Sequence, residues 1–144
     1  MKHLLTFLLV LVSISITASA QDADSLKYTV LDNRDFIAGY RGSPGAVLID
    51  VRAARDYRRS RIAGAVNFGW PLPDDFFRGT AAPPAGKAVF LYCYAGFRSR
   101  KAAAIFYDHG YRRLYSLKGG FNGWRAAKMP VDKKRHKTFV KTAR

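Results

Sequence analysis

The only cysteine of the chain, Cys93, lies where an apolar strand is predicted to run into a helix. The strand is predicted over residues 87–92, and the residues that follow the thiol include Gly96, Arg98 and Ser99, of which Ser99 is predicted to cap the helix. Backbone N–H groups at a helix N-terminus point outward and favour negative charge. A thiol in that place is expected to ionise readily and to act as a nucleophile. A buried, unreactive cysteine is the alternative interpretation.

The first twenty residues have the pattern of a secretory signal peptide. Lys2 and His3 form a short basic start, residues 4–16 are almost all apolar, and Ala18-Ser19-Ala20 matches a cleavage site. The apolar run is too short to span a bilayer, so no transmembrane segment is expected. We therefore expect an exported protein, periplasmic or secreted, that begins at Gln21 after cleavage. An uncleaved N-terminal anchor is the alternative.

The cysteine count and the charge narrow the chemistry further. One cysteine can form no internal disulfide, and a leftover thiol in an exported protein indicates an intermolecular bond or a reactive site. The net charge is +15, and residues 128–144 hold seven Lys or Arg against one Asp. Such a surface attracts anions. We expect a small anionic substrate. At the basic tail the candidates are an acidic protein or an anionic surface, with a solvated tail that binds no partner as the alternative; export argues against nucleic acid.

Apolar and polar segments alternate in the order typical of an α/β domain. Strands are predicted at residues 28–31, 46–50, within 62–67, at 87–92 and at 114–117, and helices at 34–40, 53–58, 99–109 and 121–127. The sequence thus predicts a small parallel sheet of about five strands with helices on both faces. Ligands bind at the carboxyl ends of such strands, where Asp50 and Cys93 both lie. We divide the chain into a signal peptide (1–20), a flexible segment (21–27), one domain (28–131) and a basic C-terminal tail (132–144).

Three segments resemble the signatures of single-domain rhodaneses, in the order and at roughly the spacing of that family. They are Asp50-Val51-Arg52 followed by Asp56-Tyr57 and residues 62–67; Cys93-x-x-Gly96-x-Arg98-Ser99; and Leu117-Lys118-Gly119-Gly120-Phe121-x-x-Trp124. The resemblance covers about residues 28–131.

The first signature departs from the family pattern at three places. The family commonly has Gly-His where this chain has Ser60-Arg61, Pro where it has Ala63, and Glu where it has Asp56. None of these changes touches the loop around Cys93, so activity is still expected.

The resemblance implies a thiosulfate sulfurtransferase that needs no cofactor. Sulfane sulfur from thiosulfate or a similar donor would form a persulfide on Cys93, the catalytic residue, and then pass to a thiophilic acceptor such as cyanide or a thiol. The residue types suit this chemistry, because loop amides and nearby arginines can hold negative charge on the sulfur, and covalent catalysis predicts ping-pong kinetics. The expected substrate-binding residues are Tyr94, Ala95, Gly96, Phe97, Arg98 and Ser99, with Asp50 and Arg52 as supporting residues.

Roles are also expected for the side chains around this loop. Asp50 and Arg52 are predicted to form a structural ion pair beside the site, with a direct catalytic role as the alternative. Tyr94 and Phe97 are predicted to be exposed at its mouth. Phe121 and Trp124 are predicted core aromatics, and Gly119 and Gly120 predicted turn residues. No metal site is expected, because His109 and His136 lack the spacing of metal ligands.

Two other functions compete with turnover of small sulfur compounds. In the first alternative, the chain carries a persulfide for another exported protein or acts as the redox partner of that protein. A phosphatase or arsenate reductase of the same fold is the third candidate. The resemblance argues against it, because those relatives have five residues between cysteine and arginine, whereas Cys93 and Arg98 are separated by four.

Overall fold

The computed structural model describes residues 26–134, so the predicted signal peptide, most of the predicted flexible segment 21–27 and most of the basic tail lie outside the described residues. Nine elements follow one another within this range. The strands are β1 (Thr29–Leu31), β2 (Val47–Asp50), β3 (Val66–Asn67), β4 (Val89–Tyr92) and β5 (Leu114–Leu117), and the helices are α1 (Asn33–Gly42), α2 (Ala54–Arg59), α3 (Phe97–Asp108) and α4 (Gly120–Ala126).

The five strands form one sheet in the order β1-β5-β4-β2-β3, and every neighbouring pair is parallel. The predicted architecture, a small parallel sheet of about five strands with helices, is confirmed. Within the described residues, no helix is long and apolar enough to cross a membrane.

Alternation along the central strand β4 divides the core into two layers. Phe90 and Tyr92 pack on one side with residues of α1 and α4, whereas Val89, Leu91 and Cys93 pack on the other side with residues of α3. Successive side chains of a strand point to opposite faces, which explains this separation. Cys93 therefore emerges from the sheet on the face that α3 covers.

The helix after Cys93 begins two residues earlier than predicted, and the expected cap is wrong. Gly96, not Ser99, is the N-cap residue, and its φ of 95° lies in the left-handed region that favours glycine. Ser99 consequently lies inside the first turn of α3 and is fully buried. By contrast, a side chain caps α1, because Asp32 Oδ1 accepts hydrogen bonds from Arg34 N at 2.9 Å and from Asp35 N at 3.0 Å.

Candidate active site

The candidate active site lies at the carboxyl ends of the three central strands. In the parallel register Asp50 of β2 pairs with Tyr92 of β4, and Leu91 of β4 pairs with Ser116 of β5. The residues that follow these strands, including Cys93, therefore meet at one edge of the sheet, which is where parallel sheets bind ligands.

The Cys93 sulfur is buried and held by two hydrogen-bond donors. The residue is only 2 % exposed. Its Sγ lies 3.1 Å from the Gly96 amide nitrogen and 3.8 Å from Ser99 Oγ. Among the amides of residues 94–99, that of Gly96 makes a hydrogen bond to the sulfur in the described structure. Both donors favour negative charge on the sulfur, which is the charge of the reactive thiolate.

Backbone groups of the C-terminal signature hold the loop from behind. Phe121 N donates to Cys93 O at 2.7 Å, and Asn122 N donates to Tyr94 O at 2.9 Å. Gly120 has a φ of 56°, and a Cβ at this position would lie 2.5 Å from both accepting oxygens. Gly120 is thus required for close backbone approach as well as for the turn that the sequence predicted.

The predicted ion pair between Asp50 and Arg52 is present and fully buried beside the loop. Arg52 Nη2 lies 2.7 Å from Asp50 Oδ2 and also donates to Ser60 O at 2.7 Å. Burial alone would lower the pKa of Arg52, but its hydrogen bond to Asp50 and the charge of that carboxylate together raise it above the ordinary value. The Arg52 guanidinium lies 3.9 Å from the Phe121 ring centroid and 5.2 Å from that of Tyr94. The pair therefore supports both the loop and the helix that holds it.

Exposed aromatic and cationic side chains surround the buried sulfur. Tyr94 is 37 % exposed and Phe97 is 67 % exposed, as expected, and Ala95 and Arg98 are exposed as well. Arg100 lies over the Phe97 ring at 5.0 Å and donates from Nε to Gly96 O at 3.2 Å. The edge of the site thus combines apolar rings with positive charge.

The sequence interpretation did not include two buried polar groups near the site. Ser116 of β5 is fully buried, and its hydroxyl lies 2.9 Å from that of Ser99. The Tyr92 hydroxyl accepts a hydrogen bond from Ile62 N at 3.1 Å, and burial together with the neighbouring Asp50 carboxylate raises the pKa of Tyr92 well above its ordinary value. The sequence does contain a signal for Ser116, because it is a serine within the otherwise apolar segment 114–117.

The two aromatic residues of the C-terminal signature lie in the core, whereas His109 lies at the surface. Phe121 and Trp124 are each 2 % exposed, which confirms their prediction as core residues. His109 stacks on Phe77 with a centroid distance of 3.8 Å, whereas His136 lies outside the described residues. In the part of the chain from residue 26 to 134, no group of three metal-ligating side chains is close enough to hold an ion.

The chain is similar to known proteins in sequence and in fold. The sequence profile of the Rhodanese-like domain family matches residues 23–127. The thiosulfate sulfurtransferase GlpE of Haemophilus influenzae is 30% identical over 88 residues, which cover 61% of this chain and 81% of that enzyme.

Solved structures share the fold. A Bacillus halodurans protein superimposes with a TM-score of 0.62 at 25% identity, covering 84% of this chain and 92% of that one. A Rhodopseudomonas palustris protein of unknown function, described as a possible tyrosine phosphatase, has a TM-score of 0.58 at 24% identity and covers 82% of this chain and 97% of that one. At that identity the second likeness concerns the fold alone.

Proposed function

This chain belongs to the rhodanese-like domain family, and we propose that it transfers sulfane sulfur from thiosulfate or a similar anionic donor through a persulfide on Cys93. The resemblance of the three sequence segments to rhodaneses is confirmed at the family level. Family membership and the named relative support sulfurtransferase-like activity. We propose the identity of the donor, the identity of the acceptor and the roles of individual residues.

The proposed reaction has two steps that leave the enzyme unchanged. The Cys93 thiolate attacks the outer sulfur of thiosulfate, the S–S bond of thiosulfate breaks, and sulfite leaves with the bonding electron pair. Cyanide or a thiolate then attacks the terminal sulfur of the persulfide, and the Cys93 thiolate is released again. No cofactor enters either step, because the sulfur is carried covalently. The chain has no second cysteine that could resolve the persulfide internally, so the sulfur must pass to another molecule.

The observation that carries this proposal is the pair of donors on a single buried sulfur. Gly96 N and Ser99 Oγ approach Sγ from the helix side, and cationic Arg98 and Arg100 belong to the same first turns of α3. These groups favour the thiolate and attract an anionic donor.

Intact mass spectrometry before and after thiosulfate tests the proposal directly. We expect the wild-type protein to gain the mass of one sulfur atom and to lose it again when cyanide is added, whereas Cys93→Ser gains none. Because the chain has one cysteine, the added sulfur has one thiol on which to reside.

A displaced thiol serves as the matched control. The double variant Cys93→Ser/Thr80→Cys moves the thiol to an exposed position that is not part of the Cys93 loop, and we expect it to gain no sulfur from thiosulfate. Loading of this variant at the wild-type rate would show that any thiol suffices and would contradict the role of the site. Hydrolysis of p-nitrophenyl phosphate, followed in parallel, is expected to be absent and would favour the phosphatase alternative if present.

The exposed edge of the site favours a protein thiol as a second candidate acceptor. Phe97 and Tyr94 are exposed beside a sulfur that is itself buried, and Arg98 is exposed as well. Arg55 is also exposed, but it lies 3.7 Å from Asp56, which offsets part of its charge. Tyr, Phe and Arg are enriched in protein interfaces, and Tyr and Arg often contribute most of the binding energy. An acidic partner would complement the positive charge.

Two synthetic thiol peptides test this second candidate. In one the cysteine is flanked by Asp, and in the other by Asn at the same positions. We expect transfer from the Cys93 persulfide to the Asp peptide to be at least about threefold faster at low salt, with the difference shrinking as salt screens the charges. Equal rates for the two peptides at low salt would dismiss an acidic partner.

We further propose that the protein acts outside the cytoplasm, in the periplasm or in the medium. The support is the pattern of residues 1–20, with its basic start, apolar run and Ala18-Ser19-Ala20. The mass of the protein recovered from the periplasmic fraction or the medium should correspond to a chain that begins at Gln21. Recovery of the full chain in the cytoplasm alone would overturn this localisation.

A further inference from the structure

Ser116 and Ser99 form a pair of buried hydroxyls behind the reactive sulfur. Both residues are fully buried, and their Oγ atoms are 2.9 Å apart. Ser99 Oγ has two further neighbours, Gly96 O at 3.1 Å and Cys93 Sγ at 3.8 Å. Ser116 thus lies one hydrogen bond away from a group that touches the sulfur.

Counting protons assigns a direction to this pair. Within residues 26–134, Ser99 Oγ is the hydrogen-bond partner of the Ser116 hydroxyl. A buried hydroxyl without an acceptor is costly, so the Ser116 hydroxyl must donate to Ser99 Oγ. The single hydrogen of Ser99 then remains available for either Gly96 O or Cys93 Sγ.

Gly96 O does not depend on that hydrogen. The same carbonyl oxygen accepts from Arg100 N at 3.3 Å and from Arg100 Nε at 3.2 Å. The Ser99 hydroxyl can therefore leave Gly96 O without leaving a buried acceptor unpaired.

We propose that Ser116 is a positioning residue that acts through Ser99 to support negative charge on the Cys93 sulfur. This inference rests on the proposed sulfurtransferase function. While Sγ is a thiolate, the Ser99 hydroxyl donates to it. When the Sγ–S bond of the persulfide has formed, the negative charge lies on the outer sulfur, and the Ser99 hydroxyl returns to Gly96 O. The Ser116 hydroxyl fixes the Ser99 oxygen throughout and polarises its O–H bond.

A matched pair of variants isolates the Ser116 hydroxyl from its volume. Ser116→Thr keeps a hydroxyl and Ser116→Val has nearly the same shape without one, so both meet the same packing strain. We expect Ser116→Thr to load sulfur from thiosulfate within about threefold of the wild-type rate and Ser116→Val to be about tenfold slower at saturating thiosulfate, with an unchanged KM for thiosulfate. Thermal unfolding of the two variants should be similar.

The background of Ser99→Ala tests whether Ser116 acts through Ser99. In that background the difference between Val and Thr at position 116 is expected to vanish, since the intermediate hydroxyl is gone. Equal sulfur-loading rates for Ser116→Thr and Ser116→Val, a loss confined to KM, or a difference that persists without Ser99 would each overturn the inference. Failure of the wild-type protein to take up sulfur would instead contradict the proposed function, so the two failures are distinguishable.

Discussion

Two arginines, Arg52 and Arg61, are buried in this domain, and each makes the same kinds of contact in a different place. Arg52 is 1 % exposed, pairs with Asp50 and lies over the Phe121 ring; Arg61 is 2 % exposed and lies over the Tyr57 ring at 4.9 Å. Arg61 pairs with an aspartate at 2.9 Å, as Arg52 does, but that partner, Asp132, is 71 positions away in the sequence.

The two ion pairs differ in what they hold. The pair of Arg52 and Asp50 lies within one short motif and supports the loop of Cys93 through the rings stacked on the guanidinium. Arg61 joins the segment before β3 to Asp132, the first residue of the predicted C-terminal tail, with which it also forms an isolated antiparallel bridge. One buried Arg–Asp pair therefore supports the candidate site, whereas the other attaches the C-terminal segment to the rest of the domain.

The environment of the aspartate also differs between the pairs. The Asp50 side chain is inaccessible to solvent, whereas that of Asp132 is 16 % exposed. A buried charge that loses its partner cannot be hydrated, while a partly exposed one can. We therefore expect the same substitution to have unequal effects in the two pairs.

The largest expected effect is that of Arg52→Met. This change leaves the Asp50 carboxylate buried and unpaired, so the free energy of unfolding should fall by about 3–5 kcal/mol. Sulfur loading of the remaining folded protein should also slow, because the contacts under Tyr94 and Phe121 are lost. Urea denaturation and the rate of mass gain with thiosulfate measure the two effects.

A double variant identifies the cause of that loss. Asp50→Asn removes the charge but keeps an oxygen for the N–H of residue 52, which donates to Asp50 Oδ1 at 2.9 Å. In Asp50→Asn/Arg52→Met, part of the lost stability should return. A double variant no more stable than Arg52→Met would show that the shape of the arginine, not the stranded charge, accounts for the loss.

Arg61→Met should have a smaller effect on stability and little on chemistry. Asp132 can be hydrated, so we expect a decrease of about 1–3 kcal/mol in the free energy of unfolding. Since Arg61 makes its hydrogen bonds to Tyr57 O, Asp132 and Lys134 O, sulfur loading per folded molecule should stay within about twofold of wild type. Urea titrations and loading assays run beside those of Arg52→Met provide the comparison. A loss of loading as large as that of Arg52→Met would abolish the distinction between the two pairs.

The smallest expected effect concerns Tyr92, which contacts both regions. Its hydroxyl accepts from Ile62 N, next to Arg61, and burial and then the charge of Asp50 raise its pKa well above 10.0. The unfolded chain loses this proton first as the pH rises, so the contribution of Tyr92 to stability is complete below pH 10 and declines above it.

Urea midpoints measured from about pH 9 to about pH 11 test this linkage. They should fall more steeply for wild type than for Tyr92→Phe, which has no proton to lose at this position. Parallel slopes for the two proteins would show that Tyr92 does not contribute to the decline.

Departures from the family pattern were visible in the sequence, but their consequences were not. Ser60-Arg61 stood out as the loss of a frequent histidine. In the structure Arg61 is a buried cation that binds the C-terminal segment, and Ser60 O accepts a hydrogen bond from Arg52. Neither partner follows from the local pattern, because each is set by which segments the fold brings together.

The sequence by itself determined the order of strands and helices and the contacts between residues close together in the chain. Apolar runs and their alternation with helices fixed a parallel sheet, and the position of Cys93 after β4 placed the thiol at a strand end. Asp50 and Arg52 lie two residues apart, so one turn of chain suffices to pair them.

Only the tertiary structure decided the contacts between distant segments. It brought Ser116 of β5 against Ser99, placed Gly120 under the carbonyls of the Cys93 loop, and joined Arg61 to Asp132. In the structure Ser99 lies in a buried first turn and is not the helix cap that was predicted, because Gly96 adopts a positive φ and the helix begins earlier. Periodicity reports which face of an element is buried, whereas hydrogen-bond partners depend on how those faces are packed together.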